Sequence, residues 1–234
     1  LALKPTDNES FYREVDEELR REQLTGFWRR YGKAVIGGAI ILLVVIGGYL
    51  YWQHRETEKA GAHAEALNAA FDDLQAGKLK EAGPRLDALA KDGTPGYRAA
   101  ALLAKADIAM SEGKDKDAIA GFKAVAENDD FAAPYRELAL IRWTAAEFDT
   151  LPPAQVVDRL KGLAVAGNPW FGSAGEMVAI AHMKQNKPEL AGPIFAAMAK
   201  DAQLPDTIRS RAIQMASSLG IDAVPAEAAA KEVK

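Results

Sequence analysis

The 234-residue chain offers few side chains from which a reaction centre could be built. Cysteine is absent, which removes disulfides, thiolate nucleophiles and cysteine-based zinc or iron–sulfur sites. Three histidines, His54, His63 and His182, leave little for a metal site. His182 has Met177 and Met183 nearby, but no Asp or Glu stands three or four residues to either side. It therefore reads as a packed or edge histidine, and His54, beside Arg55, as an interfacial one. Two acid pairs, Asp72-Asp73 and Asp129-Asp130, are adjacent in sequence. Adjacent residues do not face each other on a helix, so both pairs read as solvated helix ends or turns. Hydrolase, P-loop, zinc-protease and dinucleotide-binding motifs are all missing. The expectation is a non-enzyme with no catalytic residue, metal, cofactor or small-molecule substrate. A net charge of -4 argues against a nucleic-acid partner.

The elements that could carry a function are more legible. Ala34 to Trp52 is an uncharged run of 19 residues. As a helix it is ~28 Å long, close to the ~30 Å hydrocarbon core of a bilayer. It holds Ala34, Val35, Ile36, Gly37, Gly38, Ile40, Leu42, Val45, Gly47, Gly48, Tyr49 and Trp52. The centre is pure Ile, Leu and Val, and aromatic residues stand at both ends: Trp28 and Tyr31 before, Tyr49, Tyr51 and Trp52 after. The run exceeds the 7–15 apolar residues of a signal peptide and has 33 residues before it, so an uncleaved anchor is expected.

Orientation follows from the flanking cations. Arg20, Arg21, Arg29, Arg30 and Lys33 precede the span within 20 residues, and only Arg55 and Lys59 follow within the same distance. The positive-inside rule puts the N-terminus in the cytoplasm and residues 53–234 outside; in a bacterium that means a span of the inner membrane with the remainder in the periplasm. Residues 1–33 form a charged tail with apolar stripes at Phe11, Val15 and Leu19, then Leu24, Phe27, Trp28 and Tyr31. A short amphipathic helix lying against lipid headgroups is expected there, with Arg29, Arg30 and Lys33 at the membrane interface.

Beyond Arg55 the pattern is helical and repetitive. Gly77-Lys-Leu-Lys-Glu-Ala82, Gly113-Lys-Asp-Lys-Asp-Ala118 and Asn186-Lys-Pro-Glu-Leu-Ala191 each set a turn residue five before an Ala. A large residue follows four later: Leu86, Phe122 and Phe195. The turn residues are 36 and 73 apart, so an intermediate copy is expected from Asp149, with Ala154 in register and Asp158 in the large position. Pro95, Pro134, Pro169 and Pro205 recur 35 to 39 apart, and proline suits the first turn of a helix. First helices are expected near 57–76, 95–112, 134–148 and 170–185. Second helices are expected near 79–91, 115–127, 152–166 and 188–201. A closing helix is expected near 205–219.

The Ala-x3-Phe elements Ala118/Phe122 and Ala191/Phe195, with a small residue twelve earlier at Ala106 and Ala179 (and Ala70 before Ala82), resemble the tetratricopeptide-repeat superfamily. The first-helix Trp and Tyr of that pattern are missing, and Arg142 takes the small position of the third repeat. The fold expected is all-α: one N-terminal transmembrane helix, then a tetratricopeptide-like α-solenoid of about four helix pairs plus a closing helix. The parts are a tail (1–33), a span (34–52), a repeat domain (53–220) and a flexible C-terminal tail (221–234). With the FYREVDEELRREQLTGFWRRYG stretch (residues 11–32), this order of parts resembles the ancillary SecYEG translocon subunit family of proteobacteria.

That resemblance implies a membrane-tethered adaptor or chaperone-like subunit at the Sec channel. Its implied partners are membrane lipid, the integral membrane channel complex and a periplasmic chaperone or isomerase. A scaffold subunit of another envelope or respiratory complex would have the same fold. Function would lie on a binding surface, for which Tyr97, Arg98, Tyr135, Arg136, Trp143, Trp170 and Phe171 are the aromatic and arginine candidates; the alternative for the aromatics is inter-helix core, since large rings at helix starts commonly pack on the preceding pair.

Overall fold

The computed structural model describes the backbone of residues 6–223, and the side chains of Thr25 and of residues 28–223. The described residues form helices and no strands: α1 (Thr6–Gln75), α2 (Leu79–Asp92), α3 (Pro95–Ser111), α4 (Asp115–Ala126), α5 (Ala133–Glu147), α6 (Pro153–Leu160), α7 (Phe171–Lys184), α8 (Pro188–Lys200) and α9 (Asp206–Ser218). The chain divides into two units between Gly61 and Ala62.

The first unit consists of the earlier part of α1. It is long and apolar enough to cross a membrane. Every side chain from Ile40 to Ile46 is at least 45% exposed. Gly37, Gly38, Gly47 and Gly48 have open space where a Cβ would stand. Arg29, Arg30 and Lys33 are exposed, and the Arg30 guanidinium lies 5.8 Å from the Tyr31 ring. Past the apolar run, Arg55 lies 5.5 Å from the Tyr51 ring. The stripe at Phe11, Val15 and Leu19, together with Leu24 and Phe27, lies outside the described side chains.

The second unit is a run of antiparallel helix pairs, and one local rule builds most of them. The turns after α1, α3 and α7 use a residue in the left-handed region: Gly77 (φ 71), Gly113 (φ 72) and Asn186 (φ 56). Only Gly, and less readily Asn, enters that region without steric cost. Each turn closes with two bonds. Lys78 N–H donates to the Asp73 carbonyl at 2.7 Å and Gly77 N–H to that of Leu74 at 3.0 Å. Lys114 and Gly113 repeat this onto Ala109 and Met110, and Lys187 and Asn186 onto His182 and Met183. This pattern satisfies carbonyls that a helix end otherwise leaves unpaired. The turn after α9 has the same form: Gly220 (φ 77) donates to Ser217 and Ile221 to Ala216.

Each turn delivers its second helix in fixed phase. Ala82, Ala118 and Ala191 are fully buried, and Leu86, Phe122 and Phe195 are at most 1% exposed. Ala70, Ala106 and Ala179 meet them from the first helices, and all three are buried. The approach is close: a Cβ on Gly121 of α4 would stand 3.0 Å from the Ala106 Cβ of α3. Small residues are needed wherever two helix backbones come this near.

The third pair departs from the expected frame. Ala154 and Asp158 are both exposed, whereas Val156 and Leu160 are 1% and 0% exposed. The residue twelve before Val156 is Thr144, which is fully buried and bonds the Leu140 carbonyl through its hydroxyl at 2.7 Å. The true frame is therefore Thr144/Val156/Leu160, two residues later than even division of the 73-residue interval gives. Arg142 is exposed and occupies no core position. The extra residues lie between α4 and α5, where residues 127–132 must carry Phe131 (3% exposed) back into the core. α6 ends at Leu160, short of the expected 166, and Gly162 and Gly167 follow in the turn. At the other end, Ile221 and Ala223 are packed against the array rather than solvated. Ala223 is fully buried, and the Ile221 side chain occupies the space beside Gly192. The tail beyond Ala223 lies outside the described residues.

Candidate functional site

The sequence-selected residues do not converge on one surface. Phe171 is 2% exposed and is core. Tyr97 is half-buried with its ring edge-on to His63 at 5.8 Å. The Arg98 guanidinium sits 5.8 Å from the Phe131 ring, and Arg136 pairs with Asp129. Trp143 is covered by the Arg159 guanidinium at 3.9 Å and approached by the Lys123 ammonium at 5.4 Å. Arg159 in turn bonds Glu147 at 2.6 Å. The Trp170 indole N–H donates to the Glu137 carboxylate at 2.9 Å. These aromatic and arginine side chains are spent mainly on joints between helices.

The histidines and acid pairs are spent similarly. Asp73 bonds Arg85 at 3.1 Å, and exposed His54 stands 3.3 Å from Glu58. His182 is half-buried; burial chiefly, and the Lys187 charge secondarily, hold its pKa below the ordinary histidine value against a small opposing pull from Glu189. Among the described residues, no three His, Asp or Glu side chains gather as metal ligands would.

A groove of about 450 Å³ lies elsewhere, on the face made by first helices. Along α3 its lining recurs at Ala100, Leu103, Ala104, Asp107, Ile108 and Ser111, which is one helix face. Ala100 and Ala104 are too small to fill the space between neighbouring helices, so they form a floor. Phe71 and Leu74 of α1, with Leu79 at the start of α2, make one wall. Tyr135 and Leu138 of α5 make the other. Phe71 and Leu79 are 38% and 39% exposed. Only Tyr135 among the sequence candidates reaches this groove.

One charged side chain lines it. Asp107 is half-exposed and meets Arg142 of α5 through one contact of 3.3 Å. Partial burial raises the Asp107 carboxyl above its ordinary value, and Arg142 offsets only part of that rise. The sequence signal was present as Ala100/Ala104 alternating with Leu103/Ile108, but it cannot be told from a core face without knowing what α3 packs against.

A stack of paired helices with an open groove on its first-helix face is a helical-repeat interaction module. The chain belongs to the tetratricopeptide repeat-like domain family, whose profile matches residues 25–167. That match takes in the apolar run and the first three helix pairs, groove included. No curated protein and no solved structure matches the chain. Repeat domains of this kind serve as scaffolds for protein–protein contact.

Proposed function

We propose that the chain is a non-enzymatic, membrane-tethered adaptor of the Sec protein-translocation channel. In this reading α1 anchors it in a bacterial inner membrane, with its N-terminus cytoplasmic and its helix pairs in the periplasm. There it engages the channel complex and a periplasmic chaperone or isomerase. The observation that carries the reading is the pairing, in one chain, of a helix long and apolar enough to cross a membrane with an open groove on a repeat array. The resemblance of the charged N-terminal stretch and of the order of parts supplies the choice of complex. Tethering suits a weak groove, because a span held beside its client raises the effective concentration to about the mM range.

The test is site-specific photo-crosslinking in intact cells from Trp28, Phe71 and Trp170, with adducts identified by mass spectrometry. The reading expects channel subunits from Trp28 and a periplasmic chaperone or isomerase from Phe71. Adducts confined to another envelope complex would move the function there, and cytoplasmic proteins captured at Phe71 would overturn the orientation. Because the chain has no cysteine, Ser217→Cys gives a single thiol. An impermeant maleimide should label it from the periplasmic side.

A further inference from the structure

We propose that Arg29, Arg30 and Lys33 form a site for an anionic phospholipid, whose phosphate they hold at the N-terminal end of the apolar run. This rests on the anchor half of the adaptor reading and names the lipid class that the anchor selects. Three observations within α1 lead to it.

The first is phase. At about 100° of turn per residue, Arg29 and Lys33 lie about 40° apart and Arg30 about 60° beyond Lys33, so the three cations share an arc of about 100°. They rise over about 6 Å of helix axis, close to the roughly 5–7 Å that each headgroup layer adds to the hydrocarbon core. All three side chains are exposed. One phosphate at that depth is within reach of two planar guanidinium forks and of an ammonium on a flexible stem.

The second is the missing counter-charge. No Asp or Glu occurs between Glu22 and Glu56. Among the described residues none of the three cations meets a carboxylate, and Arg30 has only the Tyr31 ring, at 5.8 Å. The other end of the run is the opposite case. His54 stands 3.3 Å from Glu58, Lys59 stands 3.4 Å from Glu56, and Arg55 lies over the Tyr51 ring. There the two glutamates balance Arg55 and Lys59, so the unbalanced positive charge sits at the N-terminal end. A zwitterionic headgroup brings its own cation beside its phosphate and gains less from such a site than an anionic one.

The third is the indole beside them. Trp28 lies about 100° from Arg29, on the side away from Lys33. Its ring extends over Gly32, where a Cβ would stand 2.9 Å from the ring atom Cε3. Gly32 is buried in a stretch where Tyr31 and Lys33 are exposed. Glycine thus leaves room for the ring to lie along the helix toward the apolar run, at the level of the cations. It closes one side of their arc with the amphipathic surface that tryptophan presents at headgroup depth.

The experiment uses the full chain in nanodiscs of about four parts phosphatidylcholine to one part phosphatidylglycerol. Trp52→Phe leaves Trp28 as the one indole of the first unit, and Trp143 and Trp170 give every variant the same background. Bromine on the acyl chains of one lipid at a time quenches Trp28 in proportion to that lipid's presence beside it. Phosphatidylglycerol should be enriched there at least about threefold over its bulk share. Arg29→Gln, Arg30→Gln and Lys33→Gln together should bring it within about 1.3-fold of that share. Arg30→Tyr with Tyr31→Arg keeps the net charge but moves one cation about 100° out of the arc, and should bring enrichment below about twofold. The companion Trp28→Phe, which keeps Trp52, should show no more than about 1.3-fold at the other end. Inorganic phosphate at about 20 mM, with ionic strength matched, should change nothing. Bulk composition beside Trp28, enrichment that survives neutralisation or the exchange, equal enrichment at both ends, or displacement by inorganic phosphate would each overturn the proposal. Co-elution with the discs keeps this failure apart from failure of the anchor. A chain within the discs but without enrichment leaves the anchor standing, and a chain outside them overturns both.

Discussion

The frame of the third helix pair makes a sharp prediction. Leu160 is fully buried against Val156, Leu163 and Val178. Truncating it to Ala removes three carbons, which at ~0.8 kcal/mol per buried methylene costs about 2.4 kcal/mol in transfer alone. The partly collapsed cavity adds to this, giving about 3 kcal/mol. At 2–4 °C per kcal/mol for a unit of this size, the melting temperature should fall by about 6–12 °C. Ala154→Leu is the counterpart. If the evenly spaced frame held, Ala154 would sit where two backbones nearly touch, and a leucine there would be overpacked by about 1–3 kcal/mol. Since Ala154 is exposed, the expectation is a change within about 0.5 kcal/mol. Urea denaturation followed by circular dichroism at 222 nm measures both. Ala154→Leu costing as much as Leu160→Ala would refute the frame, as would a Leu160→Ala variant indistinguishable from the parent.

Other expectations follow from the same geometry. Thr144→Leu should cost about 1–3 kcal/mol by overpacking the joint with α6, whereas Arg142→Ala, at an exposed position, should cost no more than about 1 kcal/mol; denaturant midpoints compare them. Gly113→Ala should destabilise by about 1–2 kcal/mol because φ is 72 there, while Asn186→Gly should be neutral or slightly stabilising. For Asp107, a folded-state pKa above the ordinary 3.8 means that the folded chain binds more protons than the unfolded one. Stability should therefore fall as pH rises from the ordinary carboxylate value through the raised one. Asp107→Asn should remove that slope, and Arg142→Ala should push the Asp107 titration higher still, as read by carboxyl carbon NMR.

Much of the fold is legible in the sequence because turns and small residues recur at helical spacing. The first helices at 95–112, 134–148 and 170–185 and the second helices at 79–91 and 115–127 agree with α3, α5, α7, α2 and α4 to within one residue at each end. The miss at the third pair has a physical origin. A loop that must bury Phe131 needs more residues than one that does not, and no local propensity announces this. With Ala154 available at even spacing, Thr144 and Val156 looked ordinary, although a buried threonine bonded to its own helix can serve where alanine serves elsewhere. Arg98, Trp143 and Trp170 were candidates by residue type. Type cannot distinguish a side chain bound to a partner from one already bonded to Phe131, Arg159 or Glu137. The groove is illegible in the sequence for the opposite reason, since alanine and leucine on one helix face carry no chemical label.

The glycine turn after α9 carries a consequence for engineering. Each junction in such an array depends on its immediate neighbours, and Gly220 leaves α9 with the geometry that elsewhere introduces a second helix. A copy of the segment from Lys187 to Lys200, placed directly after Gly220 so that Lys187 takes the position of Ile221, should therefore continue in phase, its own apolar residues taking over the packing that Ile221 and Ala223 supply. Reach could then be added one module at a time, leaving the groove at the other end of the series untouched.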